Sequence, residues 1–320
     1  MPEPQAKSAV EIQDEEAYLR SAALRARVSY KEMRTPVSRQ IKVNGVNLHF
    51  LEWESPGPTV LFLHGGGLNA HTWDVVCLNL ASKYRCIALD QRGHGDSDWD
   101  PEGQYSLERH ASDLREFVTA LGLKDLLIVG HSMGGLNAIM FASEFTQSLK
   151  GLVLVESGPD PRDDGAKRIL DFLSLPPELD SIESFVERAL TFSPNRDPML
   201  LRTSLQYNLR QLPNGKWTWK YDNRRSSTPE DRARNFQVIQ GRLPLIACPT
   251  LFIRGGRSDV FRDEDAARIT ARLPLGSWVT VPDAGHSVQS ENARDLSFEL
   301  RRFFEATPRG NYACGCWGGE

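Results

Sequence analysis

Six short apolar runs recur along the chain at 59–64 (TVLFLH), 85–90 (RCIALD), 125–130 (DLLIVG), 151–156 (GLVLVE), 250–255 (TLFIRG) and 277–282 (SWVTVP). None alternates with polar positions. Continuous runs of this length fit strands covered on both faces, as in a parallel sheet. The segments between them change period. Residues 106–121 set Leu107, His110, Ala111, Leu114, Phe117, Val118 and Leu121 in one helical stripe, closed by Gly122. Ala293, Leu296, Leu300, Phe303 and Phe304 repeat the pattern near the end. Ahead of the first run, RQIKVNGVNLHFLEW alternates around Asn44-Gly45, the preferred pair for a type I′ hairpin turn. A hairpin followed by strand–helix alternation predicts a doubly wound, mostly parallel α/β sheet.

The rhythm breaks once. Between Glu156 and Pro249 the pattern is helical, as in SIESFVERALTF and DPMLLRTSLQYNLRQL, with no further parallel strand. A segment that long is not expected to be unstructured inside a compact domain. The expected organisation is a polar, partly helical extension (1–35), a first part of the core (36–158) and a helical cap inserted at 159–243. The second part of the core (244–306) and a short tail (307–320) follow.

Composition narrows the partners. The 320 residues are 40% hydrophobic and 25% charged, with net charge −4. No basic run is dense enough to coat a phosphate backbone, so a nucleic-acid partner is not expected. The start, MPEPQAKSAVEIQDEEAYLR, lacks the pattern of a secretory signal, and no stretch reaches the length of a membrane span. The five cysteines (Cys77, Cys86, Cys248, Cys314, Cys316) are an odd, scattered set. Both features suit a cytoplasmic location. Cys314 and Cys316 fall in the glycine-rich tail, and no clustered histidine and carboxylate spacing suggests a metal or other cofactor.

The stretch IVGHSMGGLN (128–137) runs from a strand through Gly130, Ser132, Gly134 and Gly135 into a helix. A serine on so sharp a turn projects above the carboxyl edge of the sheet, next to a helix N-terminus that favours developing negative charge. Gly130 and Gly134 keep side chains out of the turn, and Gly135 allows the helix to pack closely. Serine needs a base, and the base an orienting acid. His286 follows the strand SWVTVP, and Asp259 lies in the loop after TLFIRG, giving the chain order Ser132, Asp259, His286. Asp259 is the expected acid. Glu156, which also ends a strand, is the alternative, and Asp283 is assigned to the turn before Gly285. Oxyanion donors are expected from the Gly66 N–H, with Gly67 possible, and the Met133 N–H. LDQRGHGDSD (89–98) is read as turn architecture, in which Asp90 and Arg92 satisfy backbone groups. His49, His71, His94 and His110 are read as loop or core residues.

Taken together, His64-Gly65-Gly66-Gly67, Asp90-Gln91-Arg92-Gly93-His94-Gly95-Asp96-Ser97, Gly130-His131-Ser132-Met133-Gly134-Gly135, Asp259 and Gly285-His286 resemble the α/β-hydrolase fold superfamily, in its lidded esterase and lipase-like members. The resemblance spans about residues 40–306. It implies a catalytic triad of Ser132, His286 and Asp259, an oxyanion hole at Gly66 and Met133, and a helical cap over the pocket. Serine at position 132 argues against the branches that use a carboxylate nucleophile.

The expected reaction is hydrolysis of a small to medium, largely apolar carboxylic ester through an acyl-enzyme on Ser132, falling in rate as His286 protonates on acidification. Carbon–carbon or lactone hydrolysis with the same triad, and a cofactor-free oxygenase using only the base, are the alternatives. The cap offers aromatic and aliphatic side chains, among them Phe172, Phe192, Leu205 and Trp219, mostly as its own core. Its arginines Arg168, Arg202 and Arg210 are read as solvated helix faces, with holding a substrate carboxylate as the alternative for each.

Overall fold

Leu61 and Leu63 pack into one apolar cluster, while Val60 and Phe62, on the same strand, pack into another. The same division separates Leu126 and Ile128 from Leu127 and Val129. Alternate residues of a strand face opposite sides, so both faces of the sheet are covered, and this is why the runs are apolar throughout. The computed structural model describes residues 14–145, 149–194, 196–224 and 228–307. The first 13 residues, Cys314, Cys316 and all but the first residue of the tail lie outside the described residues.

In chain order the elements begin with α1 (Glu15–Arg25), β1 (Val37–Val43), β2 (Val46–Trp53), β3 (Thr59–Leu63), α2 (Asp74–Leu80) and β4 (Arg85–Leu89). They continue with α3 (Leu107–Ala120), β5 (Leu126–His131), α4 (Met133–Glu144) and β6 (Leu149–Val155). The insertion carries α5 (Asp163–Leu173), β7 (Glu178–Leu179), α6 (Ile182–Phe192), α7 (Pro198–Asn208), β8 (Leu209–Gln211), β9 (Trp217–Trp219) and α8 (Pro229–Arg242). The core resumes with β10 (Thr250–Gly255), α9 (Asp263–Thr270), β11 (Gly276–Val281), α10 (Val288–Glu291) and α11 (Ala293–Ala306).

The eight-stranded sheet has the order β1-β2-β4-β3-β5-β6-β10-β11. β1, β2 and β4 pair antiparallel, and the remaining neighbours are parallel. Asn44 and Gly45 both have positive φ (45° and 82°), as a type I′ turn requires, and they set Val43 opposite Val46. Helix α3 starts at the Ser106 cap, whose hydroxyl accepts from the Arg109 N–H, and it buries the expected stripe.

The insertion between β6 and β10 has its own apolar cluster, built on Phe185, Leu201, Leu205 and Trp219. It also holds a three-stranded antiparallel sheet, β7-β9-β8, which the sequence pattern does not suggest. Strands of two or three residues are too short to display a period. Helix α1 lies apart from the insertion in sequence yet meets it: Arg25 pairs with Asp197 at 3.1 Å, and Tyr18 lies against Tyr207.

Candidate active site

Ser132 sits between the end of β5 and the start of α4 at φ 49°, ψ −119°. A non-glycine residue in this region stores on the order of 1–3 kcal/mol of strain, held by the structure around it. Its N–H donates to the Val155 carbonyl (3.1 Å), and its own carbonyl accepts from Ser157 Oγ (2.6 Å) and the Gly135 N–H (2.9 Å). The turn is too tight for side chains on either side. A Cβ at Gly130 would lie 2.6 Å from the Gly135 Cα, and one at Gly134 would lie 2.5 Å from the Leu63 carbonyl oxygen. Helix α4 begins at Met133, so the positive end of its dipole falls beside the serine.

The loop after β3 is fixed from below. His64 Nε2 accepts from the Gln91 N–H (3.0 Å), Gln91 Nε2 donates to the His64 carbonyl (2.7 Å), and Asn137 Nδ2 donates to Gln91 Oε1 (2.7 Å). Gly65 passes so close to His131 that an added Cβ would lie 2.6 Å from its ring. Gly66 and Met133 therefore line the same cavity as Ser132 from anchored backbone.

His286 follows β11, is buried, and presents Nδ1 to Glu156 Oε2 at 3.2 Å. This corrects the expectation for the acid. Asp259 makes no contact with His286 among the described residues. It is 40% exposed and accepts from Arg168 of the insertion at 2.7 Å. The physical reason is the order of strands. β6 lies between β5 and β10, so a residue at its end, Glu156, falls between the serine and histidine loops. In the loop after β10 the inward position belongs to Ser258, and the neighbouring side chain turns to solvent. Glu156 is then saturated: Oε1 accepts from the Gly255 N–H (2.7 Å) and Oε2 from Ser258 Oγ (2.6 Å), besides His286. Glu156 also has positive φ (50°), and its N–H donates to the Ile253 carbonyl at 2.8 Å. Asp283, exposed in the turn, pairs with Arg257.

His131, within the serine motif, has a job the sequence does not announce. Its Nε2 donates to the His286 carbonyl at 2.9 Å. Burial, with the nearby His286, pushes its pKa well below the usual imidazole range, so the ring stays neutral and keeps that proton. Ser132, His286, Glu156, Gly66 and Met133 all line one cavity of about 680 Å³. Phe172, Phe192, Leu205 and Trp219 roof it from the insertion, and Tyr18, Ala22 and Ala26 wall it from α1.

In the 89–98 turn Asp90 satisfies backbone groups as expected, whereas Arg92 is spent chiefly on two buried carboxylates. Asp90 accepts from His49 Nδ1 (2.8 Å) and from the Ala70 and Asp96 N–H groups (2.6 and 2.9 Å). Arg92, fully buried, forks onto Asp113 (2.6 Å) and reaches Asp100 (2.8 Å). His49, Asp90 and Asp96 bring ligand atoms within 4.8 Å of one another. Their partners are protein groups already, since His49 Nε2 meets Ser38 and Asp96 meets Lys220. His71 binds Asp74 and stacks on Tyr207 at 3.5 Å.

Known proteins resemble this chain in sequence and fold. The family described as the alpha/beta hydrolase fold matches residues 58–293. Esterase Rv0045c of Mycobacterium tuberculosis is 31% identical over 268 residues, 82% of this chain and 87% of the relative. A crystal structure of that esterase superposes with a TM-score of 0.74, at 30% identity, covering 92% of this chain and 99% of the other. A mouse protein, sn-1-specific diacylglycerol lipase ABHD11, is 26% identical over 265 residues, 81% of this chain and 84% of its own. With the strand order, the serine turn and these matches in hand, the chain belongs to the α/β-hydrolase fold family, as an esterase-like member.

Proposed function

We propose that this protein hydrolyses carboxylic esters through an acyl-enzyme on Ser132. His286 takes the serine proton through Nε2, since Nδ1 is engaged by Glu156. The serine oxygen attacks the ester carbonyl, and the Gly66 and Met133 N–H groups hold the tetrahedral oxyanion. His286 then protonates the leaving alcohol, and water clears the acyl group by the reverse proton route. Glu156 fixes the imidazole orientation and stabilises its charged form. The observation that carries this reading is the His286 Nδ1–Glu156 Oε2 contact at 3.2 Å, in a cavity wall shared with the strained Ser132.

The test is labelling by a fluorophosphonate together with turnover of a chromogenic ester series. Wild type is expected to label and turn over, and Ser132→Ala to lose both, by at least about 10³-fold in kcat. Activity retained by Ser132→Ala would overturn the nucleophile and leave only base chemistry at His286.

A further inference from the structure

Among the described residues two arginines line the cavity, Arg196 and Arg232. The arginines that the sequence pointed to are committed elsewhere. Arg168 holds Asp259, Arg202 holds Glu183, and Arg210 lies over the Trp99 ring. Arg196 is different. It sits in the connection between α6 and α7, where its N–H donates to the Ser193 carbonyl at 3.2 Å. Its guanidinium has no ion pair and no side-chain hydrogen bond among the described residues. The neighbouring Asp197 is spent on the Met199 and Leu200 N–H groups and on Arg25. Glu291 and Tyr18 act on Arg196 only through space, and Glu291 gives an oxygen to the Gly285 N–H at 2.9 Å. Loss of water lowers the pKa of the guanidinium, which still remains charged at neutral pH.

A guanidinium carries five donors and no acceptor, and that of Arg196 is partly exposed where it lines the cavity, open to a partner from the cavity side. The cavity as a whole is largely apolar, and Leu200, Leu201 and Leu205 of the adjoining helix line it together with Arg196. A positive charge that has no hydrogen bond or ion pair from its guanidinium among the described residues, on the wall of a largely apolar cavity, matches one carboxylate at the end of an apolar spacer. We propose that Arg196 is a specificity-determining residue that binds a carboxylate of the substrate, separate from the ester that Ser132 attacks. The natural substrates are then esters bearing a free carboxylate, gripped by two parallel N–H···O bonds from the guanidinium fork. The inference rests on the ester-hydrolase reading above.

The test compares matched esters on one enzyme preparation. Mono-para-nitrophenyl adipate, with its carboxylate in the acyl part, is paired with neutral para-nitrophenyl hexanoate. The para-hexanoyloxybenzoate anion, with its carboxylate in the alcohol part, is paired with its own methyl ester. Wild type is expected to favour one of the charged esters over its neutral match. Arg196→Gln is expected to lower that charged-to-neutral ratio of kcat/KM by about 10- to 100-fold, chiefly through KM. Arg196→Lys should keep part of the preference. Because each ratio is internal to one preparation, a poorly folded variant does not distort it. The arm that responds tells which half of the substrate carries the anion. Equal ratios in wild type and Arg196→Gln on both arms overturn the inference while leaving ester hydrolysis intact. No turnover of any ester, with no labelling of Ser132, takes down the hydrolase reading and this inference with it.

Discussion

Glu156 and Asp259 are two carboxylates at neighbouring strand ends, and their surroundings set them to different work. Glu156 is 1% exposed and accepts two protein donors besides the imidazole, so its position is fixed before any substrate arrives. Asp259 shares a surface ion pair with Arg168, both side chains being at least 40% exposed, and such a pair contributes little. Glu156→Gln keeps the shape but lets the imidazole settle in the wrong tautomer, and is expected to lower kcat by about 10³–10⁴-fold. Asp259→Asn is expected to stay within about threefold of wild type. Steady-state kinetics on one chromogenic ester compares the two. A large loss in Asp259→Asn with a small one in Glu156→Gln would refute the assignment.

The turn after β4 links β2, the loop after β3 and α3 through buried charge. Removing Arg92 would strand Asp113 and Asp100 without their counter-charge. Arg92→Met is therefore expected to cost about 3–5 kcal/mol in urea unfolding. The His49–Asp90 pair adds a pH dependence. Burial alone would raise the Asp90 pKa, but the hydrogen bond and charge of His49, with His64 and the Asp96 N–H, hold it well below the usual range. His49 is raised, because Asp90 outweighs the opposing effect of burial. A depressed carboxylate gives stability that is present above its ordinary value, ~3.9, and lost as pH falls through the folded value. A raised imidazole gives stability that is present below ~6.5 and lost as pH rises through the folded value. Both contributions overlap between about pH 4 and 6.5. The gap in Tm between wild type and Asp90→Asn is expected to be widest there and to narrow on either side. A gap independent of pH would show that the pair acts only through packing.

Two segments far apart in sequence enclose the cavity over the sheet edge. One is the insertion between β6 and β10, and the other is α1. Leu19 and Ala23 bury α1 against Leu78 of α2, while the adjoining side of the helix, through Tyr18 and Ala22, with Ala26 just past its end, lines the cavity. Leu19 is fully buried, so Leu19→Ala is expected to destabilise by about 2–5 kcal/mol. It is also expected to raise KM for esters more than it lowers kcat, because the wall shifts while the serine turn, held by β5, α4 and β6, does not. Thermal melts and ester kinetics on the variant check both parts. An unchanged KM despite the lost stability would mean that α1 only supports the fold.

Local order was readable from residues alone. Strand runs, the Asn44-Gly45 hairpin, the α3 stripe, the serine turn and the histidine loop each depend on backbone conformation or periodicity within a few neighbouring residues. Ser132, His286, Gly66 and Met133 all line one cavity. The acid was not readable, because two carboxylates ended candidate strands and the choice turns on which strand lies beside β5 and which way one loop residue points. Neither property is local. The part played by α1 escaped for the same reason: a polar helix with Leu19, Ala22 and Ala23 on it gives no sign of what it will cover. Arg196 was lost among many arginines, since a charged side chain reveals its lack of a counter-ion only when every neighbour has been placed. Chain neighbours set the elements and the strained turn at Ser132; contacts across hundreds of residues set Glu156 beside His286, enclosed the cavity and left the Arg196 guanidinium on its wall without an ion pair among the described residues.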